Sequence, residues 1–182
     1  MNTTYGTKYA ATKDLKRTEI AKLIRADIKA AVKAGSLPKA KYSVTCRSYS
    51  GGGSIDIHVS EAEGIRVYNV ERLLFEHDEP HMYCRLDTYS VEMSAVLATL
   101  DTIHAAYNYN GSDISTDYFH VRFYGDAKPA YDTAVKAAEL ESAIDARAAR
   151  ETPKRPALTL VRSVPKPVAQ PQNDFLAHIG AL

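Results

Sequence analysis

The fold is decided by residues 42–59, which read YSVTCRSYSGGGSIDIHV. Apolar and polar side chains alternate on both sides of the glycine run at 51–53, as in strands that bury one face. The three glycines supply a flexible turn between the alternating segments. The stretch therefore predicts a β-hairpin, with Asp56 and His58 on one face of its second strand. The opposite, core-facing side carries Ile55, Ile57 and Val59.

Amphipathic helices flank this hairpin. Residues 13–34 place apolar side chains at helical spacing, and they are followed by Gly35 and Pro38, which end helices. Residues 91–107 show a second apolar stripe, and Ser90 is a suitable N-cap. We expect these helices to pack on one face of an antiparallel sheet, which defines an α+β fold.

Three further segments complete the predicted elements. Residues 118–124 alternate as a strand does, so Tyr118, His120, Arg122 and Tyr124 are expected on one face. An Ala-rich helix with a thin apolar face is predicted over 130–150. Residues 67–76 fit a helix or a strand, and residues 82–86 fit a short strand.

The composition changes after Glu151. Five of the eight prolines lie in residues 151–182, which is typical of an extended linker. We therefore predict one domain over 1–150, followed by a disordered, Pro-rich tail. The tail ends in a short amphipathic segment, 173–182, whose apolar side chains could dock in a groove or could belong to an inert spacer.

The composition of the 182-residue chain, with 45% hydrophobic and 25% charged residues, is that of an ordinary globular protein. No stretch has the roughly 18 apolar residues of a membrane span, and the N-terminus lacks a signal-peptide pattern. We expect a protein without membrane contact in the cytoplasm. The net charge is only +1, but residues 1–47 carry 11 Lys/Arg against 3 Asp/Glu, and residues 56–92 carry 3 against 9. Such asymmetry can steer a partner.

Nothing in the sequence indicates a cofactor or a metal centre. Cys46 and Cys84 do not form a CxxC pair, and metal sites need several spaced ligands. His77 and His81 are four residues apart, but Pro80 argues against the helix that would align them. We predict no metal site, no cofactor and no catalytic residue.

One face of the predicted sheet combines histidine, acid, arginine and tyrosine. Besides the outward residues of 118–124, it would carry Thr45 or Arg47, Asp56 and His58. Three interpretations remain open: a solvated face with cross-strand pairs, a recognition surface, or a catalytic or metal site using His58 and His120 with Asp56, Asp113 or Asp117. The spacing matches no catalytic motif, which favours a protein without enzymatic activity.

Two groups of residues resemble a known family. The first is the hairpin 42–59, with SYSGGGSIDI at 48–57, which is preceded by AKLIR at 21–25. The second is AYNYNGSD at 106–113, which leads into DYFHVRFY at 117–124. Over about residues 10–125 the chain resembles a domain found in large polyvalent proteins of phages and conjugative elements. The resemblance implies an accessory protein that enters a recipient cell with invading DNA and protects it or helps it to establish. It implies no enzymatic activity.

The sequence and the resemblance together predict a non-enzymatic binding module of a phage or mobile element that acts on a host protein, with anti-defence inhibition as the expected role. A nucleic-acid-binding accessory protein that uses the basic helix 13–34 and the same sheet face is the first alternative. A small hydrolase or nuclease is the second, and a homodimer stays open. The candidate binding residues are Tyr49, Asp56, His58, Asp113, Asp117, Tyr118, His120 and Arg122.

Overall fold

The predicted hairpin lies at the centre of the computed structural model, which describes residues 3–112 and 120–151. Helices and mixed sheets confirm the α+β class. The elements in chain order are β1 (Thr4–Tyr5), α1 (Tyr9–Thr12), α2 (Arg17–Lys33), β2 (Lys41–Tyr49), β3 (Gly52–Ser60), α3 (Val70–Asp78), α4 (Val91–Ala105), β4 (Tyr109–Asn110), β5 (Ala127–Pro129) and α5 (Thr133–Glu151). The predicted tail lies outside the described residues.

The main sheet has the strand order β2-β3-β5. β2 and β3 pair antiparallel over their whole length, from Lys41 opposite Ser60 to Tyr49 opposite Gly52. β5 joins β3 in parallel, with Ala127 opposite Ile57. A separate antiparallel ribbon pairs β1 with β4. The sheet is thus mixed, whereas the sequence predicted antiparallel pairing throughout.

The core lies between the main sheet and the helices α2 and α4. Its fully buried side chains come from α2, β3, α4 and the segment before β5, and they include Ile20, Ile24, Ile55, Ile57, Leu100 and Phe123. α2 begins where the Glu19 carboxylate accepts a hydrogen bond from the Lys16 backbone N–H, at 2.9 Å. It ends before Gly35, whose φ of +77° favours glycine. The predicted helix and its apolar stripe are confirmed.

The second predicted helix is also confirmed, as α4. The Ser90 hydroxyl caps it by accepting a hydrogen bond from the Met93 N–H at 3.0 Å. Over 67–76 the helical alternative is correct, since α3 begins at its N-cap Asn69. Residues 82–86 contain no strand, so that prediction is wrong. No described helix is long and apolar enough to cross a membrane.

The strand predicted over 118–124 does not form in its described part, residues 120–124. The side-chain oxygen of Asn108 accepts from the Arg122 N–H at 3.1 Å, and Val121 meets Asn110 of β4 in a single antiparallel bridge. This backbone is therefore held by a side chain and isolated bridges instead of a continuous strand pairing. The chain joins the sheet only at Tyr124, which lies opposite Ser54 in an isolated parallel bridge. The strand prediction is therefore wrong for 120–124, where Asn108 competes for the backbone groups, and the third strand of the main sheet is instead β5, which the sequence did not indicate.

The Ala-rich helix α5 is confirmed, although it packs on α3 with little apolar burial. Ala143 is its one buried residue in the described part of the helix. Arg147 donates to the Asp78 carboxylate at 2.6 Å, and Lys136 to Glu76 at 3.1 Å. The α3–α5 pair is therefore held mainly by charged contacts.

Candidate functional site

The side of the main sheet that faces away from α2 and α4 carries the largest group of predicted site residues. We call it the outer sheet face. Residues opposite one another in the sheet point to the same side, and side chains alternate along each strand. Because Ile55, Ile57 and Val59 are buried against the helices, the outer sheet face consists of Ser43, Thr45, Arg47, Tyr49, Gly52, Ser54, Asp56, His58, Tyr124, Asp126 and Lys128.

A pair of tyrosines marks the hairpin end of the outer sheet face. The rings of Tyr49 and Tyr124 lie 6.4 Å apart at an interplanar angle of 33°. Tyr49 is 51% exposed and Tyr124 is 41% exposed. A Cβ atom on Gly52 would lie 3.3–3.4 Å from atoms of both rings, which is a tight contact. Because glycine has no side chain, both rings can pack against the backbone at this position. The result is an exposed aromatic platform.

Gly125 brings Tyr124 to this position. Its φ is +117°, and a Cβ atom there would come within 2.1 Å of the Ile55 carbonyl oxygen. Only glycine permits both the conformation and the close approach. The adjacent backbone then pairs with β3, since the Ile55 N–H donates to the Tyr124 carbonyl at 2.9 Å. A side chain at position 125 would separate Tyr124 from the sheet.

The rest of the outer sheet face is polar and carries charges of both signs. The Ser54 hydroxyl donates to the Asp56 carboxylate at 2.9 Å. Lys128 pairs with Asp126 at 3.3 Å. His58, half-buried, lies opposite Lys128 in the sheet register. The predicted position of Asp56 and His58 on one face is therefore confirmed, and the candidate residue Tyr49 lies on the same face.

Arg122, by contrast, lies on the helix side of the sheet. Its guanidinium donates to the carbonyl oxygens of Thr12, Leu15 and Tyr107, and to the Thr12 hydroxyl. It also lies 5.3 Å from the centre of the Tyr9 ring. Burial lowers the pKa of this guanidinium below its usual value. Arg122 therefore ties the chain before β5 to the N-terminal segment, and the prediction that it shares a face with His58 is wrong.

His120 also lies away from the outer sheet face. Its Nε2 is 2.9 Å from the Tyr109 hydroxyl, and the two rings meet edge-on at 5.0 Å. Tyr5 and Tyr9 complete an aromatic cluster with Tyr109, with ring centres 5.2–6.0 Å apart. Sequence reasoning missed this cluster, because only the pairing of β1 with β4 brings residue 5 to residue 109.

The structure does not bring the two candidate catalytic histidines together. Tyr124 lies opposite Ser54, and four residues of strand, about 13 Å, separate Ser54 from His58. His120 lies another four residues before Tyr124. The three other candidates, Asp113, Asp117 and Tyr118, lie outside the described residues. Within 3–112 and 120–151, no group of three or more His, Cys, Asp or Glu side chains is arranged to hold a metal ion.

His104 is a buried titratable group that the sequence did not indicate. Its Nε2 lies 3.0 Å from the Ile55 carbonyl oxygen, and its ring meets Phe123 edge-on at 5.0 Å. Burial lowers its pKa below the ordinary value, so the neutral ring is favoured. Position 104 lies on the core side of α4, and its contacts show that it stabilises the sheet from within.

Comparisons with known proteins identify no relative: no family model, no curated protein and no solved structure matches this chain. The resemblance to the polyvalent-protein domain therefore stays a prediction.

Proposed function

We propose that this chain is an accessory protein of a phage or another mobile genetic element, and that it binds a protein in the cytoplasm of the host cell. It acts without catalysis, and the expected result is inhibition of a defence component. The resemblance over about residues 10–125 supplies this biological setting. The outer sheet face supplies the binding surface.

The observation that carries the proposal is the exposed pair Tyr49 and Tyr124. Tyrosine is enriched among the residues that dominate protein–protein binding energy, because its rigid ring buries a large area at little entropic cost. Gly52 lets both rings lie close to the backbone, so that they present one continuous aromatic surface. Exposed Arg47 and Lys128 at the margins fit the polar rim that surrounds such anchors.

Affinity capture from host lysate, with quantitative mass spectrometry, tests this surface when three proteins are compared. These are the unaltered chain, Tyr49→Ser, and the control Tyr83→Ser. Tyr83 is 84% exposed and lies outside the outer sheet face, so the control removes a tyrosine that is more exposed than Tyr49. We expect a host protein that the chain and the control capture equally and that Tyr49→Ser loses. With that protein purified, Tyr49→Ser should weaken binding about 30-fold.

Two results would contradict the proposal. In the first, every captured protein responds equally to both substitutions, which would show that Tyr49 has no particular role. In the second, only a second copy of the chain binds through Tyr49, which would make the face a homodimer contact.

Nucleic-acid binding is a second candidate, favoured by the exposed side of α2. Lys22, Lys29 and Lys33 form no ion pair with any described residue, and they lie at helical spacing along one side. Arg25 is engaged elsewhere, since it donates to the Val44 carbonyl. Free cations in a row can neutralise phosphates.

A salt series with duplex and single-stranded DNA and RNA tests this candidate. Replacing the three free lysines by Gln should lower the affinity and flatten its dependence on salt, because fewer counterions are released. Absent or salt-independent binding would contradict it.

A further inference from the structure

A cleft at the start of α2 has a charge balance unlike that of the outer sheet face. Its volume is about 440 Å³, and it is lined by Leu15, Lys16, Arg17, Thr18, Cys46, Ser48 and Arg122. Three of these seven side chains are cationic and none is acidic. We call it the α2-start cleft. It opens on the helix side of β2, because Cys46 and Ser48 alternate with the outward-facing Arg47 and Tyr49.

The cationic charges in this cleft lack carboxylate partners. Arg122 donates only to carbonyl and hydroxyl oxygens. Arg17 donates to the Ser48 hydroxyl at 2.8 Å, and no described carboxylate pairs with it. The Glu19 carboxylate, the nearest acid on α2, is engaged by the Lys16 backbone N–H. Two guanidinium groups therefore face one cleft without an ion-paired carboxylate among the described residues, although the Asp14 carboxylate lies close enough to attract Arg122.

The Arg17 guanidinium is held in place. The hydrogen bond to Ser48 fixes its Nη2 atom. A Cβ atom on Gly53 would lie only 2.4 Å from the Arg17 Cζ, so the guanidinium packs directly against the backbone of Gly53. Any larger residue at 53 would displace it. The Nη1 atom of Arg17 makes no hydrogen bond with the described residues, and it is not buried, so a ligand can reach it. Arg122 is fixed even more firmly, by contacts to three backbone carbonyls.

We propose that the α2-start cleft binds a phosphate group. A tetrahedral anion offers oxygen atoms in several directions, which suits separate donors from Arg17 and Lys16, whereas a planar carboxylate fills a single guanidinium fork. The Nη atoms of Arg122 are engaged by carbonyl and hydroxyl oxygens, so Arg122 contributes its positive charge. The N–H groups of Arg17 and Thr18, the first two residues of α2, have no intrahelical acceptor and add positive potential at the same place. A free phosphate compound and a nucleic-acid backbone present the same phosphate chemistry, and the measurements below distinguish them. The site stands independently of the outer sheet face.

Calorimetric titration of the whole chain with inorganic phosphate, at low ionic strength, is the first measurement. We expect saturable binding that sulfate competes for and acetate does not. Arg17→Gln should weaken it about tenfold, since a charge-assisted hydrogen bond is lost. Lys16→Gln, which changes an exposed side chain and leaves the fold intact, should weaken it about threefold. The matched control Lys29→Gln removes the same charge about 18 Å along α2 and should leave the affinity unchanged.

Cys46 gives a second readout, which locates the ligand. Alkylation of Cys46 should slow when phosphate is present, while alkylation of Cys84, which lies outside the cleft, should not change. An oligothymidylate without terminal phosphate distinguishes the sources. If it protects Cys46 and depends on Arg17, the ligand is a nucleic-acid backbone. If only inorganic phosphate does so, the ligand is a free phosphate compound.

Three results would overturn the proposal: no saturable phosphate binding, an equal loss of affinity in Lys16→Gln and Lys29→Gln, or equal protection of Cys46 and Cys84. The last two would show that phosphate responds to overall charge and not to this cleft.

Discussion

The main sheet with α2 and α4 differs from the α3–α5 pair in what holds it together. In the sheet layer, Ile20, Ile24, Ile55, Ile57 and Leu100 are fully buried. In the α3–α5 pair, Leu73 and Ala143 are the buried side chains of the two helices, and the contacts between the helices are charged. One region depends on removing apolar surface from water, and the other depends on paired charges.

This difference predicts which region opens first. Each buried aliphatic side chain contributes about 1.5–3 kcal/mol, whereas exposed ion pairs contribute little. Regions with few buried apolar contacts open at lower free energy than the global unfolding transition. The α3–α5 pair is therefore expected to separate from the sheet layer before that layer unfolds.

The largest expected effect comes from the sheet layer. Ile57→Ala removes a fully buried side chain between the helices and the sheet, and it should lower the free energy of unfolding by about 2–5 kcal/mol. Denaturant titration followed by circular dichroism measures it. The control Val135→Ala, on the exposed side of α5, should cost well under 1 kcal/mol. Equal losses in the two variants would remove the distinction between the regions.

An intermediate effect is expected in the α3–α5 pair. The Glu139 carboxylate accepts hydrogen bonds from the N–H groups of Val67 and Tyr68, at 2.7 and 2.8 Å, and so anchors α5 to the segment before α3. Glu139→Gln removes the charge from both bonds and should cost about 1–3 kcal/mol of local stability. Hydrogen exchange should show lower protection in α5 and unchanged protection in β3.

The matched control for this substitution is Glu141→Gln, which neutralises an exposed carboxylate that bonds to no described residue. It should leave exchange in α5 unchanged. If β3 lost protection together with α5 in Glu139→Gln, the two regions would form one cooperative unit, and the comparison would fail.

The smallest effect concerns pH. Burial lowers the pKa of His104 in the folded protein, while the unfolded chain keeps the ordinary value near 6.5. As pH falls below that value, the unfolded state takes up a proton that the folded state resists, so stability decreases. Arg147 lowers the pKa of Asp78 to about 2, so the α3–α5 contact stays ionised over this range. Mild acid should therefore weaken the sheet layer selectively.

Denaturant titrations between about pH 7.5 and pH 5 measure this effect, and His104→Gln is the comparison. The substitution also changes packing and therefore the free energy of unfolding at every pH. For this reason the two proteins are compared by the slope of that free energy against pH. The slope should be flatter in the variant. Identical slopes would assign the acid sensitivity to other histidines.

Much of the fold follows from local sequence signals. The glycine run at 51–53 and the alternation around it predict β2, β3 and the burial of Ile57. Periodicity and caps predict α2 and α4, including Ser90. The third strand could not be placed, because its position depends on Asn108 holding the preceding backbone and on Gly125 approaching Ile55. Both are contacts between residues distant in sequence.

The candidate site was predicted in part for the same reason. Tyr49, Asp56 and His58 share a face because they belong to one hairpin, whose register follows from its turn. Arg122 and His120 depended on a strand that does not form where alternation suggested it. Arg122 instead supports the α2-start cleft, which no local pattern indicates, since its lining comes from α2, β2 and the chain before β5.

The sequence by itself determined the α+β class, the central hairpin, the main helices and the outward direction of Asp56 and His58. These features depend on periodicity, capping and turn chemistry, which act over a few residues. Tertiary structure alone decided the parallel third strand, the charged contacts between α3 and α5, the pairing of Tyr49 with Tyr124 and the α2-start cleft. Each of these brings together residues far apart in the chain, and their proximity depends on how the core packs.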